Sequence, residues 1–262
     1  MSKSGFPLFY ASAVPLSSNA HVSWGLLPGD AGFAAEAAAS PVTAGEFAAA
    51  GRFYPVLFAA NTALPIALMG LENANLFVRD GQWTEGTYVP AYVRRYPFLL
   101  IEAGDKSGYA LGIDGSSAQV TKGGRKGKAL FEDGAPSDVT KAALEFCRLF
   151  NEDHQRTQAF CNALDQAGIL VDRRADAALP DGRRMGVEGF KVVDVAQFMA
   201  LDDATVVEWH KRGWLALVHY HLASLERFSD LLNRQGKKLG ATPASSVAAS
   251  EAPAGEDVVT TH

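Results

Sequence analysis

The chain has 262 residues, of which 48% are apolar, and it carries a formal net charge of −5. This apolar content is typical of globular proteins and excludes wholesale disorder, and the sequence has no run of about 18 apolar residues to cross a membrane. The modest negative charge lacks the clustered basic footprint of a nucleic-acid-binding protein. A short apolar run near the N-terminus is interrupted by Pro7 and Pro15, so we expect an uncleaved cytoplasmic chain.

The first half of the chain, to about residue 135, predicts a β-rich region. Glycine, proline and asparagine separate short runs of β-branched and aromatic residues there. A short helix is expected from Thr43 to Ala50, and Asp80-Gly81 predicts a tight hairpin turn. The predicted strands are Phe53–Phe58, Ile66–Leu71, Asn75–Val78, Tyr88–Val93, Phe98–Glu102 and Tyr109–Ile113.

A long helix is predicted after this region. Ser137 is a suitable N-cap residue, apolar residues follow at helical spacing, and Gly168 is a suitable stop. The helix contains Cys147 and Cys161, which lie about 21 Å apart along a helix axis. This distance excludes a disulfide between them, so both are expected to be small buried groups in a reducing compartment.

The last third of the chain predicts shorter elements. A strand is expected at Gly189–Val193, and Asp194 and Asp202 are each expected to cap a short helix. The clearest helix has apolar residues on one stripe between Leu215 and Leu232, and it is expected to end at Gly236.

These elements predict an α+β fold, in which a mostly antiparallel β-sheet from the N-terminal half is covered by the C-terminal helices. Residues 1–235 are expected to form a single domain. Residues 236–262 are rich in alanine, proline and serine, carry acidic residues and have almost no bulky apolar groups. We therefore expect a disordered tail there, because the segment buries too little surface to offset its conformational entropy.

Residues 88–98 form the most distinctive part of the sequence, which we call the aromatic–arginine segment. It holds four aromatic residues, two prolines and the adjacent Arg94 and Arg95. The prolines favour an edge strand or a shaped loop. In a strand the two arginines point to opposite faces, and the inward one needs a partner because an unpaired buried charge costs several kcal/mol. That partner is either a ligand carboxylate or one of the chain's own acidic residues. The candidates within the chain are Glu46, Glu72, Glu102 and Asp114.

Other clusters give weaker signals. His219 and His221 are two residues apart on a predicted helix, so their imidazoles diverge and no metal site is expected. The run Glu152-Asp153-His154 lies in polar surroundings, which favours a solvated helix face over an acid–base site. The glycine-rich basic run 122–128 lacks the Gly-Lys-Ser/Thr ending of a phosphate-binding loop. We therefore predict no catalytic residues, no metal and no cofactor.

Several other segments form a recognisable sequence pattern together with the aromatic–arginine segment. They are Phe53-Tyr54-Pro55-Val56-Leu57-Phe58, Asn75-Leu76-Phe77-Val78, Gly81-Gln82-Trp83, Leu111-Gly112-Ile113-Asp114, Gly213-Trp214-Leu215 and His221-Leu222-Ala223-Ser224-Leu225. Together with the aromatic–arginine segment, they resemble the SapC family of bacterial proteins, and the resemblance runs from about residue 10 to 235. Gly115 departs from the pattern, where a second acidic residue is expected after Asp114.

The resemblance implies only a loose function. The family takes its name from a gene that neighbours S-layer protein export genes. Related genes lie beside TonB-dependent receptors and beside flavin halogenase-like or cupin-like proteins. The resemblance therefore implies a genetic neighbourhood and no catalytic residues.

The first functional hypothesis is a cytoplasmic, non-catalytic accessory protein. It would bind a protein or peptide client linked to S-layer export, envelope transport or TonB-dependent receptors. Tyrosine and arginine are enriched at binding hot spots, which points to the aromatic–arginine segment. The predicted binding surface comprises Tyr88, Tyr92, Arg94, Arg95 and Tyr96.

The second hypothesis is a small-molecule-binding or enzymatic protein that acts beside a peptide- or amino-acid-modifying enzyme of the halogenase or cupin kind. Its pocket is expected between the sheet and the C-terminal helices. The predicted lining is Trp83, Tyr92, Arg95, Asp114 and His221. A third, purely structural interpretation is that the two arginines lock the sheet to the helices.

Overall fold

The computed structural model describes residues 6–102, 108–123, 126–178, 184–238 and 248–251. Its helices are α1 (Phe47–Ala50), α2 (Ala91–Arg94), α3 (Asp138–Gln166), α4 (Val195–Met199), α5 (Asp203–Lys211), α6 (Trp214–Ser224) and α7 (Arg227–Lys238). Its strands are β1 (Ala13–Pro15), β2 (Gly25–Leu26), β3 (Ala39–Pro41), β4 (Val56–Ala59), β5 (Pro65–Leu68), β6 (Val78–Arg79), β7 (Gln82–Trp83), β8 (Phe98–Glu102), β9 (Tyr109–Asp114), β10 (Val120–Thr121), β11 (Lys128–Ala129), β12 (Phe131–Glu132), β13 (Ala135–Pro136), β14 (Leu170–Ala178), β15 (Arg184–Val193) and β16 (Ala248–Glu251).

The main layer is a six-stranded antiparallel sheet with strand order β16-β14-β15-β4-β5-β3. Helices pack on it and bury one large hydrophobic core. The predicted α+β class, with antiparallel sheets and C-terminal helices, is confirmed. The helical side chains buried in this core include Phe47, Phe160, Trp209, Val218 and Leu231.

A second, smaller core lies under the three-stranded antiparallel sheet β1-β9-β8. Strands β8 and β9 contribute Phe98 and Ile113, and α3 contributes Cys147. The same helix supplies Phe160 and Leu164 to the main core. Helix α3 therefore lines both cores along its length.

Local sequence signals account for several confirmed elements. The β6–β7 hairpin turns at Asp80 and Gly81, whose φ angles of 51° and 74° are the two positive values that a type I′ turn requires. Helix α3 begins with the Ser137 side chain accepting a hydrogen bond from the backbone N–H of Thr140. Gly168, with φ 67°, follows its end. Asp194 and Asp202 cap α4 and α5 as predicted.

Residues 88–93 are not the predicted strand, because Ala91–Arg94 form the short helix α2. Pro90 occupies the N-cap position with φ −53° and ψ 142°, values that lead directly into a helix. The buried carboxylate of Glu46 accepts the N–H of Ala91 at 2.6 Å. A cap supplied from a distant part of the chain thus decides the local structure. The predicted strand Asn75–Val78 is also wrong except at its last residue, which begins β6.

The predicted final helix is two helices, α6 and α7, separated at Leu225 and Glu226. The Ser224 hydroxyl donates to the carbonyl of His221 at 2.6 Å, a local bond that competes with continued helix. Helix α7 passes Gly236, and its described part runs to Lys238. In the segment predicted as a disordered tail, β16 pairs with β14, and residues 239–247 and 252–262 lie outside the described part.

Strand β15 is longer than the predicted strand Gly189–Val193, and it pairs with β14, which the sequence does not predict. The two strands pair from Leu170↔Val193 to Ala178↔Arg184. The charged run Asp172-Arg173-Arg174 interrupts the apolar pattern of β14, so periodicity alone does not reveal it.

Candidate functional site

The aromatic–arginine segment is fixed in place by the buried carboxylate of Glu46. Its Oε2 accepts from the backbone N–H of Thr43 at 2.8 Å and from the Thr43 hydroxyl at 3.0 Å. Its Oε1 accepts from the Tyr88 hydroxyl at 3.0 Å and from the Ala91 N–H at 2.6 Å. Neutral donors therefore satisfy both carboxylate oxygens, and Glu46 positions α2 without pairing with an arginine.

Arg94 lies on the outer side of α2 and is exposed. Its guanidinium donates to the Val89 carbonyl at 3.0 Å and to the Tyr88 hydroxyl at 3.2 Å. It also stacks over the rings of Tyr88 and Phe146, at 5.7 and 5.2 Å from their centroids. Burial, with the nearby Glu46 carboxylate, raises the pKa of Tyr88 to about 12, so its hydroxyl stays protonated.

Arg95 points to the inner side of α2, among aromatic rings. Its guanidinium carbon lies 4.2 Å from the ring centroid of Tyr92, 4.5 Å from that of Phe150 and 5.6 Å from that of Tyr10. The Tyr92 side chain also forms a hydrogen bond with Arg95, whereas the buried Nε has no partner among the described residues. No carboxylate among the described residues forms an ion pair with Arg95 or Arg94. Of the two alternatives for the partner of the inward arginine, the structure therefore does not show an ion pair with any of the four candidate acidic residues.

Arg95 and Tyr92 line a cavity of about 330 Å³, which we call the Arg95 cavity. It lies where β3 and β5 of the main sheet face α2, α3 and the β8–β9 sheet, so its wall joins the two hydrophobic cores. Most of its wall is apolar. Six of the lining side chains are Val42, Leu64, Ile66, Leu100, Cys147 and Phe150.

Arg95 sets the charge of this cavity near neutral pH. No Asp, Glu or Lys is among the described residues that line it. Burial lowers the pKa of His154, and the charge of Arg95 lowers it further. Burial raises the pKa of Cys147 to about 11 and also raises that of Tyr92, so the thiol and the phenol stay neutral. The described lining thus combines mostly apolar side chains with one fixed positive charge.

The lining residues on α3 were missed by sequence reasoning. Cys147, Phe150, Asn151 and His154 share one face of the helix, at the i, i+3, i+4, i+7 spacing of a buried stripe. The rings of Phe150 and His154 are stacked, with planes 8° apart. The interpretation of Glu152-Asp153-His154 as a solvated face is therefore wrong for His154, and the helical spacing was the signal that could have identified it.

Asp114 does not reach the Arg95 cavity. Its carboxylate accepts from the backbone N–H groups of Ala11 at 2.9 Å, Ser12 at 3.1 Å and Ser116 at 2.9 Å, and from the Ser116 hydroxyl at 2.6 Å. Burial alone would raise its pKa, but these hydrogen bonds outweigh burial and lower it. Asp114 therefore fastens residues 11 and 12 to the turn after β9.

His221 is also structural. Its Nδ1 donates to the Val56 carbonyl at 2.7 Å, and its Nε2 accepts from the Val193 N–H at 3.1 Å. Strands β4 and β15 pair at Ala59↔Phe190 and Phe58↔Lys191. Two residues further along the same register, Val56 lies opposite Val193, where a backbone hydrogen bond is expected. The imidazole takes the place of that missing backbone bond. The Ser224 hydroxyl accepts from the Val56 N–H at 2.9 Å. Side chains of α6 therefore satisfy both the backbone N–H and the carbonyl of Val56.

Trp83 and Tyr96 lie on the outer side of α2 with Arg94, around a shallow groove. Trp83 donates through Nε1 to the Tyr54 hydroxyl at 3.3 Å, and Tyr96 stacks on Phe33 with 4.1 Å between ring centroids. The five residues predicted to share one pocket therefore separate. Tyr92 and Arg95 line the cavity, Trp83 lies on the outer groove, and Asp114 and His221 are buried elsewhere.

Two further sequence features lack a site in the described part of the chain. No three His, Cys, Asp or Glu side chains there are grouped so as to hold a metal ion. Residues 124 and 125 of the basic run 122–128 lie outside the described ranges. Among the described helices, none is both long and apolar enough to cross a membrane.

A family model for SapC matches residues 16–231. The chain belongs to the SapC family. No curated protein and no solved structure matches this SapC-family protein. The matched residues include the whole aromatic–arginine segment and the α3 face of the Arg95 cavity.

Proposed function

We propose that this SapC-family protein is a non-catalytic accessory protein that binds a compact, largely apolar small molecule in the Arg95 cavity. The observation that carries the proposal is the cavity itself. At about 330 Å³ it is at the small end of the range of ligand pockets, and its wall is apolar with a few polar groups. The setting we propose is cytoplasmic, in a system linked to S-layer export or envelope transport, or beside a peptide- or amino-acid-modifying enzyme.

The position of the cavity supports a binding role. Core side chains normally pack with few voids larger than a water molecule, yet this space remains between Ile66 of the main core and Leu100 of the smaller one. Its lining includes the exposed Thr62 and Tyr109, so a ligand has a route from solvent.

The test is purification of the tagged protein from its native cells, followed by mass spectrometry of a solvent extract. Wild type is compared with Ala59→Phe, which fills the cavity from β4, and with Arg94→Met, which alters only the outer side of α2. We expect a small molecule in near-stoichiometric amount with wild type and Arg94→Met, and its loss with Ala59→Phe. Circular dichroism checks that each variant is folded, and extracts of folded variants with the same content would contradict the proposal.

A second candidate function is client binding on the outer side of α2. The observation that favours it is the grouping of exposed Arg94 with Trp83 and Tyr96 around one groove. Aromatic residues and arginine dominate binding hot spots, and a protein or peptide client would contact them there. The same purification tests this role, because a genuine client is lost with Arg94→Ala and kept with Arg95→Met. A client set identical in wild type and folded Arg94→Ala would contradict it.

A further inference from the structure

From the geometry around Arg95, we infer that the Arg95 cavity recognises a monocarboxylate with an uncharged hydrocarbon body of about eight carbons. This inference rests on the proposed function and names the ligand class. It follows from three features of the cavity: the buried Arg95 Nε without an acceptor, the lack of a second charge among the described lining residues, and the size of the space.

The guanidinium of Arg95 is held in position by Tyr92, through its ring and a side-chain hydrogen bond, but the buried Nε has no acceptor among the described residues. The rings of Tyr92 and Phe150 contact it from two sides, with their planes 62° apart. Cation–π contacts stabilise the charge, yet a ring face supplies none of the oxygen acceptors that match a guanidinium fork. The buried Nε has no hydrogen-bond partner in the part of the chain that the structure describes. A planar carboxylate matches the geometry of a guanidinium fork.

The wall around Arg95 favours one negative charge. His154 and Cys147 are neutral near pH 7 because burial shifts their pKa values away from the charged forms. A phosphate dianion would therefore bring a second charge with no cation among the described lining residues to balance it. A monocarboxylate balances Arg95 one to one.

The same wall disfavours amino acids. Their ammonium group requires a carboxylate or several carbonyl acceptors, and no Asp or Glu is among the described lining residues. The surfaces of Val42, Leu64 and Ile66 instead suit a hydrocarbon chain. The ligand body is therefore uncharged.

The size of the space limits the ligand. Allowing about 30 Å³ per non-hydrogen atom, the share of one water molecule in the liquid, about 330 Å³ holds roughly ten such atoms. Octanoate has this size. Longer chains must leave the cavity past the exposed Tyr109.

The experiment is isothermal titration of the full chain, first stripped of bound small molecules, with four probes that share the same number of carbon atoms: octanoate, octan-1-ol, octan-1-amine and 8-aminooctanoate. Wild type, Arg95→Met and the control Arg94→Met are compared, with thermal unfolding to confirm that each is folded. Arg95→Lys is added because it keeps the charge but loses the fork.

We expect wild type and Arg94→Met to bind octanoate about 10- to 100-fold more tightly than octan-1-ol, as a hydrogen bond to a charged group would give. Arg95→Met should remove this preference, and Arg95→Lys should reduce it. The amine and 8-aminooctanoate should bind at least about tenfold more weakly than octanoate.

Two outcomes separate this inference from the proposed function. Octan-1-ol or 8-aminooctanoate binding wild type as tightly as octanoate would overturn the carboxylate inference and leave a binding cavity. An octanoate affinity unchanged in folded Arg95→Met would also overturn it. Failure of all four probes to bind would overturn both.

Discussion

Acidification should destabilise the folded protein through His221 in a defined pH range. Burial lowers the pKa of this imidazole from its ordinary 6.5 to about 4, partly opposed by its hydrogen bond to the Val56 carbonyl. In the folded state Nε2 accepts from the Val193 N–H, so a proton there would face another donor. The neutral ring with its proton on Nδ1 is the form that the fold requires.

The sign and size follow from proton linkage. Above pH 6.5 both states are neutral at this position, and the contribution of His221 to stability is fully present. Between pH 6.5 and about 4 the unfolded chain binds a proton that the folded protein does not, so stability falls as the pH falls. At about 1.4 kcal/mol per pH unit, this one group lowers the free energy of unfolding by about 3 kcal/mol across the range.

Urea unfolding at pH values from 7 to 4 measures this loss in wild type, His221→Gln and the control His210→Gln, which alters an exposed residue of α5. A glutamine amide can donate to the Val56 carbonyl and accept from the Val193 N–H, but it does not titrate. We expect His221→Gln to lose about 3 kcal/mol less than wild type on acidification, and His210→Gln to follow wild type. Equal losses in wild type and His221→Gln would refute the reasoning.

Three further changes should report on single contacts that stabilise the fold. Glu46→Gln places an amide NH₂ against N–H and hydroxyl donors, so it should lower the free energy of unfolding in urea by about 2 to 4 kcal/mol; the exposed control Glu36→Gln should change it by less than about 0.5 kcal/mol. Ser224→Ala leaves the buried Val56 N–H without an acceptor, so a loss of about 1 to 3 kcal/mol and faster hydrogen exchange at Val56 are expected; unchanged exchange would contradict the assignment. Gly81→Ala should lower the melting temperature, because φ is +74° and an added Cβ would lie 2.9 Å from a side-chain oxygen of a neighbouring loop.

The sequence-based predictions succeeded where the deciding contacts are local. The cap at Ser137, the stop at Gly168 and the Asp80-Gly81 turn lie within a few residues of what they determine. These signals fixed α3 and the β6–β7 hairpin. They also predict the α+β class, because this class follows from the order of the elements along the chain, with strands first and helices later.

The failures have the opposite cause. Helix α2 depends on a carboxylate from Glu46, and His221 bridges backbone groups of two strands that are distant in sequence. A sequence does not show which backbone groups such a Glu or His will contact. These residues therefore suggest a binding or catalytic role even where their role is structural. The sequence predicts Tyr92 and Arg95 as pocket-lining residues, and both line the Arg95 cavity. It does not predict the lining residues on α3, such as Phe150.

The sharing of α3 between the two cores has a consequence for unfolding. Its N-terminal half carries Cys147 of the smaller core, and its C-terminal half carries Phe160 and Leu164 of the larger one. Unfolding of α3 at one end removes its side chains from the nearer core. It also leaves a shorter helix to pack against the other core. We therefore expect the two cores to unfold in one cooperative step, so that the fluorescence and circular dichroism transitions coincide.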